Sequence, residues 1–255
     1  MYNQAMREFK PKNAQSLNST EYGNKEALFD AETSLVRYNS SIVSVIARYF
    51  NFSGNFDHTS LVDFGAGGGS LAEIFRDNYE IYPTCIEVDS DLVTMLRKKG
   101  FEVFTTLDQI QSQAQFIYTS NVLEHIEDDQ QALIKLRESM ASAGKIAIYV
   151  PALPYLFSDL DRRAGHFRRY TKRSLIHKVK AAGFTVDKCF YNDSLGVPAS
   201  LALRILGYRN SSGLGSIKSL EFYDKIVYPV SQILDYVGFK YFFGKNLFLF
   251  ASVET

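Results

Sequence analysis

The sequence predicts a doubly wound α/β fold, in which a seven-stranded, mostly parallel sheet carries helices on both faces. Short apolar segments alternate with segments of helical periodicity along most of the chain, as crossover helices require in a parallel sheet. The apolar segments are nearly continuous in hydrophobic residues, as expected for strands buried on both sides. A glycine cluster directly follows the first of them and gives the strand–loop–helix junction typical of this fold class.

Seven apolar segments are predicted as strands. In chain order they span residues 61–64, 84–88, 102–104, 116–120, 145–150, 185–191 and 246–253. The last segment follows a long interval with helical patterns of its own. This interval, residues 192–245, is either a helical insertion or a cap packed over the edge of the sheet. The expected fold has an antiparallel last strand.

The first three helices along the chain are predicted from apolar stripes, that is, from apolar residues spaced to lie on one side of a helix. The first helix precedes the first strand, and its stripe consists of Leu28, Leu35, Ile42, Val43, Ile46 and Phe50. A second helix is predicted over residues 70–76. A third is expected to begin with Ser90 as its N-cap, because serine accepts a hydrogen bond from the first turn.

Two further helices are predicted before the insertion. One follows Asp129, buries an apolar side that reaches Met140, and is expected to end at Gly144. The other begins at Thr171 and ends at Gly183. Residues 1–24 have no periodic apolar pattern and are expected to be loosely ordered, so residues 25–255 form the single predicted domain.

Composition limits the classes of function. The chain has 255 residues, with 28 basic and 28 acidic side chains, so no net charge attracts it to nucleic acid. Its two cysteines, Cys85 and Cys189, lie in predicted strands and give neither a disulfide framework nor a zinc site, so no metal is expected. A reducing, cytoplasmic compartment is favoured, since neither a signal peptide nor a membrane-spanning segment is evident in the sequence.

The glycine cluster and two acids indicate a bound cofactor. The run from Val62 to Ser70 contains glycines that let the backbone approach a ligand closely. Glu87 lies about twenty residues further on, where a carboxylate can accept ribose hydroxyls, and Asp89 is the competing candidate. Asp63 precedes the glycines, where an acid suits the ammonium group of S-adenosylmethionine better than a pyrophosphate. This contrast favours S-adenosylmethionine over NAD or FAD.

Several motifs resemble those of class I S-adenosylmethionine-dependent methyltransferases. The run V-D-F-G-A-G-G-G at 62–69 is similar to the first motif of that family, and Glu87 to its ribose-binding acid. The segments F-I-Y-T-S-N-V-L-E-H-I-E-D at 116–128 and G-K-I-A-I-Y-V-P at 144–151 resemble its fourth and fifth strands. The resemblance covers about residues 35–190, but the acid usual after the third strand is not evident, and Thr106-Leu107-Asp108 occupies that place.

The resemblance implies a Rossmann-like methyltransferase fold and a set of cofactor contacts. The residues expected to bind S-adenosylmethionine are Asp63, Gly65, Ala66, Gly67, Gly69, Glu87, Val88, Leu107 and Asn121. His125 follows the fourth strand and is a candidate general base, with a role in orienting the loop as the alternative. A base is optional, because methyl transfer depends mainly on positioning.

A narrower resemblance concerns the segment D-x-x-x-G-H-x-R-R-Y at 161–170, which is similar to a subgroup of bacterial methyltransferases. His166 within it is the second candidate catalytic residue. Arg168, Arg169 and Tyr170 are expected to bind an acceptor anion, since arginine forks bind phosphate or carboxylate. The alternative is that the arginines are internal braces.

The acceptor is expected to be a small molecule or a glycan-related metabolite, and the sequence identifies neither it nor the oligomeric state. The apolar and aromatic residues of 192–245 form either a lid on the sheet or a surface that meets a membrane or a lipid-linked substrate. Two rival functions remain open at this point: a nicotinamide-dependent oxidoreductase and a non-catalytic binding protein with a methyltransferase fold.

Overall fold

The computed structural model describes residues 33–52, 60–206 and 217–254. Within them, seven strands form one sheet in the order β3-β2-β1-β4-β5-β7-β6. Strands β1 to β5 pair in parallel, and β7 runs antiparallel to both β5 and β6. The predicted doubly wound sheet with an antiparallel last strand is therefore confirmed. The N-terminal segment 1–24 and Leu28 lie outside the described residues.

The strands agree closely with the apolar segments of the sequence. They are β1 Leu61–Phe64, β2 Thr84–Ile86, β3 Val103–Phe104, β4 Ala114–Ser120, β5 Met140–Pro151, β6 Thr185–Asn192 and β7 Asn246–Ser252. The helices are α1 Val36–Phe50, α2 Ser70–Tyr79, α3 Ser90–Lys98, α4 Asp129–Glu138, α5 Asp159–Arg163, α6 Lys172–Ala181, α7 Gly196–Leu206, α8 Ile217–Phe222 and α9 Tyr228–Tyr236. None of the described helices is long and apolar enough to cross a membrane.

The sheet is buried on both faces, and β5 shows how. Ile146, Ile148 and Val150 belong to the core on one face, which α4 and α6 cover. Ala147 and Tyr149 belong to the core on the other face, which α1 and α2 cover. Successive side chains of a strand point to opposite faces, so a strand buried on both sides is apolar throughout. Both clusters therefore keep the carboxyl ends of the strands in fixed relative positions.

Two local predictions were wrong. The N-cap of α3 is Asp89, whose carboxylate accepts from the backbone N–H groups of Asp91 and Leu92, and Ser90 is the first helical residue. Helix α4 ends at Glu138 and does not reach Gly144. Met140 instead begins β5, because it pairs with Ala114 at the N-terminal ends of these two central strands.

Residues 196–241 contain the helices that precede the last strand. A π-helical turn, Tyr223–Val227, joins α8 to α9, and a short 3-10 helix, Phe239–Tyr241, follows. Asp224 within the π-helical turn is 3% exposed and accepts from the backbone N–H groups of Arg37 and Tyr38, at 3.0 and 2.8 Å. These donors lie in the first turn of α1, where N–H groups have no partner within the helix. A side chain distant in sequence therefore caps α1 and fastens the insertion to the core.

We expect Asp224→Ala to lower the free energy of unfolding by about 1–2 kcal/mol, the usual cost of losing an N-cap. Urea denaturation followed by circular dichroism measures it. Glu221→Ala is the matched control, because Glu221 forms a solvent-exposed ion pair with Lys225 one turn away, so its loss should change stability little. Equal stability of the two variants would contradict the capping role.

Candidate functional site

The loop between β1 and α2 has a backbone that only glycine adopts readily. Gly65, Gly67 and Gly69 have φ values of 80°, 56° and 87°, in the left-handed region. The backbone N–H groups of Gly65 and Ala66 both donate to the carbonyl of Ile86, at 2.9 and 3.1 Å, which holds the loop against the end of β2. The loop is therefore shaped and anchored by the protein itself.

Gly65 also brings the loop against the segment that follows β4. A Cβ atom at Gly65 would lie 2.3 Å from the Cγ2 atom of Val122, far inside van der Waals contact. Val122 directly precedes the 3-10 turn Leu123–His125. The glycine loop and this turn thus meet at the carboxyl edge of the sheet, where α/β proteins bind their ligands.

Glu87 connects the glycine loop to the end of β2. Its Oε2 atom accepts from the N–H of Gly67 at 2.9 Å, and its Oε1 atom from those of Val88 and Asp89 at 2.8 and 3.0 Å. Glu87 is only 8% exposed. Asp89, the competing ribose acid, has its carboxylate committed to the cap of α3. Of the two acids, Glu87 is the one attached to the glycine loop.

The other expected cofactor residues surround this junction. Asp63 is buried in β1 and accepts a hydrogen bond of 2.7 Å from the Tyr118 hydroxyl of β4. Val88 is 76% exposed at the end of β2, and Leu107 begins a short 3-10 helix after β3. Asn121 follows β4 with a φ of 54°, a conformation that asparagine tolerates better than most residues. Asp63 lies near the end of β1, and the other three follow β2, β3 and β4, so all four lie along the carboxyl edge of four adjacent strands.

His125 and His166 meet face to edge although 41 residues separate them in sequence. Their ring centroids are 4.5 Å apart with an interplanar angle of 88°. The loop after β5 reaches back to the turn after β4, where the N–H of Phe167 donates to the carbonyl of Glu124 at 2.8 Å. Atoms of the surrounding protein remove part of the hydration of the imidazole, and this desolvation, followed by the charge of the neighbouring His166, lowers the pKa of His125. The side chain remains exposed at this edge, and its imidazole is neutral at pH 7.

Glu124 lies beside the two histidines and was not among the residues predicted from the sequence. It is fully buried, and burial raises the pKa of its carboxyl to about 8. One ligand atom of each of Glu124, His125 and His166 lies within 4.8 Å of the other two. The only trace of Glu124 in the sequence is an acid within the otherwise apolar run V-L-E-H-I, which does not reveal its surroundings.

Asp161 holds the histidine and one arginine of the D-x-x-x-G-H-x-R-R-Y segment. Its Oδ1 atom lies 3.0 Å from Nδ1 of His166 and accepts from Nε of Arg169 at 2.8 Å. Arg169 also donates to the carbonyl of Ala152. Burial alone raises the pKa of Asp161, but the hydrogen bonds from His166 and Arg169 outweigh it and hold that pKa well below its usual value.

Asp129 is the corresponding anchor for the other two residues of the segment. It accepts from the hydroxyl of Tyr170 at 2.7 Å and is paired with Arg168 at 2.8 Å and Lys178 at 2.7 Å. Tyr170 is 1% exposed and its side chain belongs to the core, so its expected contact with an acceptor finds no support in this position. The guanidinium groups of Arg168 and Arg169 are used within the protein, as the brace alternative predicts.

Comparison with known proteins agrees with this geometry. A family model described as a methyltransferase domain matches residues 36–188. A search of curated proteins finds no significant match. Among solved structures, a SAM-dependent methyltransferase from Archaeoglobus fulgidus has a TM-score of 0.54 at 15% identity, covering 84% of this chain and 94% of that one.

Two other solved structures show the same similarity. Haemonchus contortus phosphoethanolamine N-methyltransferase 2, in complex with S-adenosyl-L-methionine, has a TM-score of 0.54 at 13% identity, covering 84% of this chain and 52% of that one. A SAM-dependent methyltransferase from Thermotoga maritima has a TM-score of 0.55 at 11% identity, covering 89% and 93%. Identities this low establish a shared fold.

We expect Asp129→Asn to destabilise the protein by about 2 kcal/mol at pH 7, because charged hydrogen bonds to a buried carboxylate are lost. Burial raises the pKa of Asp129, but hydrogen bonds from Lys178, Tyr170 and Arg168 leave it below its usual value. The stabilisation is therefore complete above the unfolded-state pKa of about 4 and disappears as the pH falls through the folded-state value.

Denaturation of wild type and Asp129→Asn between pH 3 and 7 measures this effect. The difference in stability should shrink below about pH 4. Asp159→Asn is the control, since Asp159 forms an exposed ion pair with Arg162 and should contribute little at any pH. A difference between wild type and Asp129→Asn that does not change with pH would contradict the ionic account.

Proposed function

The chain belongs to the family of methyltransferase domains and is a SAM-dependent methyltransferase, and from this premise we propose that it methylates a small molecule or a glycan-related metabolite at the edge where the glycine loop meets the turn after β4. The close approach of Gly65 to Val122 is the observation that supports this location. It places the glycine loop, which would hold the cofactor, next to the turn that presents His125. The oxidoreductase and binding-protein alternatives receive no support from the comparisons.

We assign the cofactor to the edge formed by the glycine loop and the ends of β1 to β4. Glu87 is proposed to accept hydrogen bonds from the ribose hydroxyls. Asp63, the buried acid just before the glycine loop in sequence, is proposed to attract the ammonium group of the cofactor. Val88 and Leu107 would pack against adenine, and Asn121 would line the crevice. Because Glu87 also holds the N–H of Gly67, ribose binding and loop shape are coupled through one carboxylate.

The acceptor is proposed to lie on the far side of the transferred methyl group, beside His125. Transfer from a sulfonium requires an in-line approach of the acceptor atom, and holding it there supplies much of the rate. His125 can accept a proton from the acceptor, because its imidazole is exposed and neutral. His166 suits this role less, since Asp161 holds its Nδ1 atom. Arg168 and Arg169 are proposed as positioning residues that keep the loop in place.

We further propose that the insertion 192–245 docks on an anionic lipid surface. From Phe222 to Val237 the helical segments expose apolar side chains and bury polar ones, the reverse of an ordinary surface helix. Their apolar side chains are exposed by 46–66%: Phe222, Ile226, Val230, Ile233 and Val237. Polar side chains of the same segment face the protein instead: Asp224, Ser231 and Asp235. The spacing of the exposed residues, three or four apart, gives one continuous apolar stripe.

Basic side chains next to the stripe favour a lipid surface over a second protein as its occupant. Arg37, Arg48, Lys188 and Lys240 line a cavity of about 700 Å³ between α1, β6 and α9. Cations beside an exposed apolar stripe are the combination that binds an anionic bilayer. A surface of this kind would bring the enzyme to a lipid-linked acceptor. The cytoplasm stays the expected compartment.

We expect S-adenosylhomocysteine to bind and to raise the melting temperature by mass action, whereas NADH should not. Glu87→Gln should weaken S-adenosylhomocysteine binding at least tenfold, because a charged acceptor for the ribose hydroxyls is lost. Calorimetry measures both, with Glu102→Gln as the control, an acid that pairs with Thr84 at the opposite end of β2. Binding of NADH without any response to S-adenosylhomocysteine would contradict the assignment.

Sedimentation with vesicles tests the lipid surface. The protein should sediment with phosphatidylcholine vesicles that contain phosphatidylglycerol, and the double variant Ile226→Glu/Ile233→Glu should lose most of this binding while retaining S-adenosylhomocysteine affinity. Tyr82→Ser is the control, since Tyr82 is 60% exposed but lies before β2. Unchanged sedimentation of the double variant, or a dimer of the wild type that this variant dissociates, would assign the stripe to another partner.

A further inference from the structure

We propose that Glu124, His125 and His166 form a binding site for a divalent transition-metal ion. Glu124 and His125 belong to the turn after β4, and His166 to the loop after β5. One ligand atom of each lies within 4.8 Å of the other two. The site lies at the carboxyl edge of the sheet. Its existence is independent of the proposed function, and only its role in catalysis rests on that function.

The burial of Glu124 is the first observation that requires explanation. Its side chain is 0% exposed, and neither carboxylate oxygen has a hydrogen-bond partner among the described residues. Burying a carboxylate without partners costs several kcal/mol, so such groups are rare unless a cation or a proton balances them. Two imidazoles beside this carboxylate make a metal ion the natural counter-charge.

The orientation of His166 is a second, independent observation. Asp161 accepts from Nδ1 of His166, so the proton resides there and the lone pair of Nε2 remains free. A carboxylate that orients a histidine in this way is the usual outer partner of a metal-binding imidazole, because it fixes the tautomer and raises the basicity of the ligand. Arg169 bonds to the same carboxylate, which leaves Glu124 as the anion available to an ion.

The donor set indicates the class of metal. Two imidazole nitrogens and one carboxylate oxygen suit Zn²⁺, Co²⁺, Mn²⁺ or Fe²⁺, whereas Ca²⁺ and Mg²⁺ prefer oxygen ligands throughout. Bonds of about 2.0–2.2 Å place such ligands roughly 3–4 Å apart. From separations of up to 4.8 Å, the ligand atoms therefore need to approach one another by about 1–2 Å, and the exposed ring of His125 can move. No metal was expected from the sequence, because only its two cysteines were weighed as zinc ligands.

Three protein ligands leave at least one coordination position open, which is the pattern of catalytic metal sites. Under the proposed function, an acceptor hydroxyl binds there and its pKa falls. The hydroxyl proton passes to solvent, the oxygen lone pair bonds to the methyl carbon, and the carbon–sulfur bond breaks to leave S-adenosylhomocysteine. With the ion bound, His125 is a metal ligand and solvent takes the proton. His125 can act as the proton acceptor only in the metal-free site.

Metal binding is tested on the full-length protein after treatment with EDTA. Titration with Zn²⁺ in a calorimeter should show one equivalent with micromolar or tighter affinity, and Co²⁺ should give visible absorption bands. Glu124→Gln, His125→Ala and His166→Ala should each weaken binding at least tenfold, and Asp161→Asn about tenfold. His177→Ala is the matched control, since His177 is exposed on α6 and should leave the affinity unchanged.

Glu124→Gln separates a metal ligand from a structural residue. The substitution replaces an unpaired buried carboxyl group with an uncharged amide of the same size. The melting temperature of the metal-free protein should therefore stay the same or rise, while the increase caused by Zn²⁺ should disappear. A structural role predicts the opposite, a lower melting temperature with the zinc effect retained.

Two outcomes overturn the proposal. One is the absence of stoichiometric Zn²⁺ and Co²⁺ binding. The other is binding that Glu124→Gln and His125→Ala leave intact. S-adenosylhomocysteine affinity, measured on the same samples, keeps the two proposals apart: normal cofactor binding without metal binding rejects the metal site alone.

Discussion

Two buried carboxylates, Asp129 and Asp161, hold the loop after β5 against the turn after β4, and the candidate site depends on that contact. Asp161 orients His166, and Asp129 joins Arg168 and Tyr170 to α4. Both acids keep a pKa below their usual value because their hydrogen bonds outweigh the cost of burial. Together with the hydrogen bond from the N–H of Phe167 to the carbonyl of Glu124, these anchors bring His166 beside His125 at the carboxyl edge of the sheet.

Some unfavourable features occur at that same edge. Asn121 and Leu153, which follow β4 and β5, have φ values of 54° and 63°. The carboxylate of Glu124 is buried without a partner, although Asp129 and Asp161 nearby are both satisfied. Strained backbone and unsatisfied polar groups persist in proteins where function requires them. Those at this edge lie in the segments that follow β4 and β5, where the two histidines meet.

The insertion before β7 combines rigid attachment with an unusual surface. Asp224 caps α1, while Asp193 and Asp235 lie in a buried hydrogen-bonded cluster in which the N–H of Asp193 donates to Asp235 at 2.7 Å. The buried polar residues of the insertion thus form hydrogen bonds with the rest of the protein, and the apolar stripe faces the solvent. The attachment of the insertion and the exposure of its apolar stripe have the same cause. When the polar side of a helix faces the protein, its apolar side faces the solvent and is available to a partner.

The sequence by itself determined the sheet, because strands buried on both faces must be apolar throughout and the glycine loop needs residues without a Cβ atom. It also identified Glu87, since the end of β2 lies a regular distance beyond the glycines. Long-range contacts were decided only by the tertiary structure. The arginines of the D-x-x-x-G-H-x-R-R-Y segment became braces and Tyr170 a core residue, and Glu124 gained two imidazoles as neighbours. Periodicity reports which face of an element is buried, but the partner of a buried charge depends on how loops from different strands meet in space.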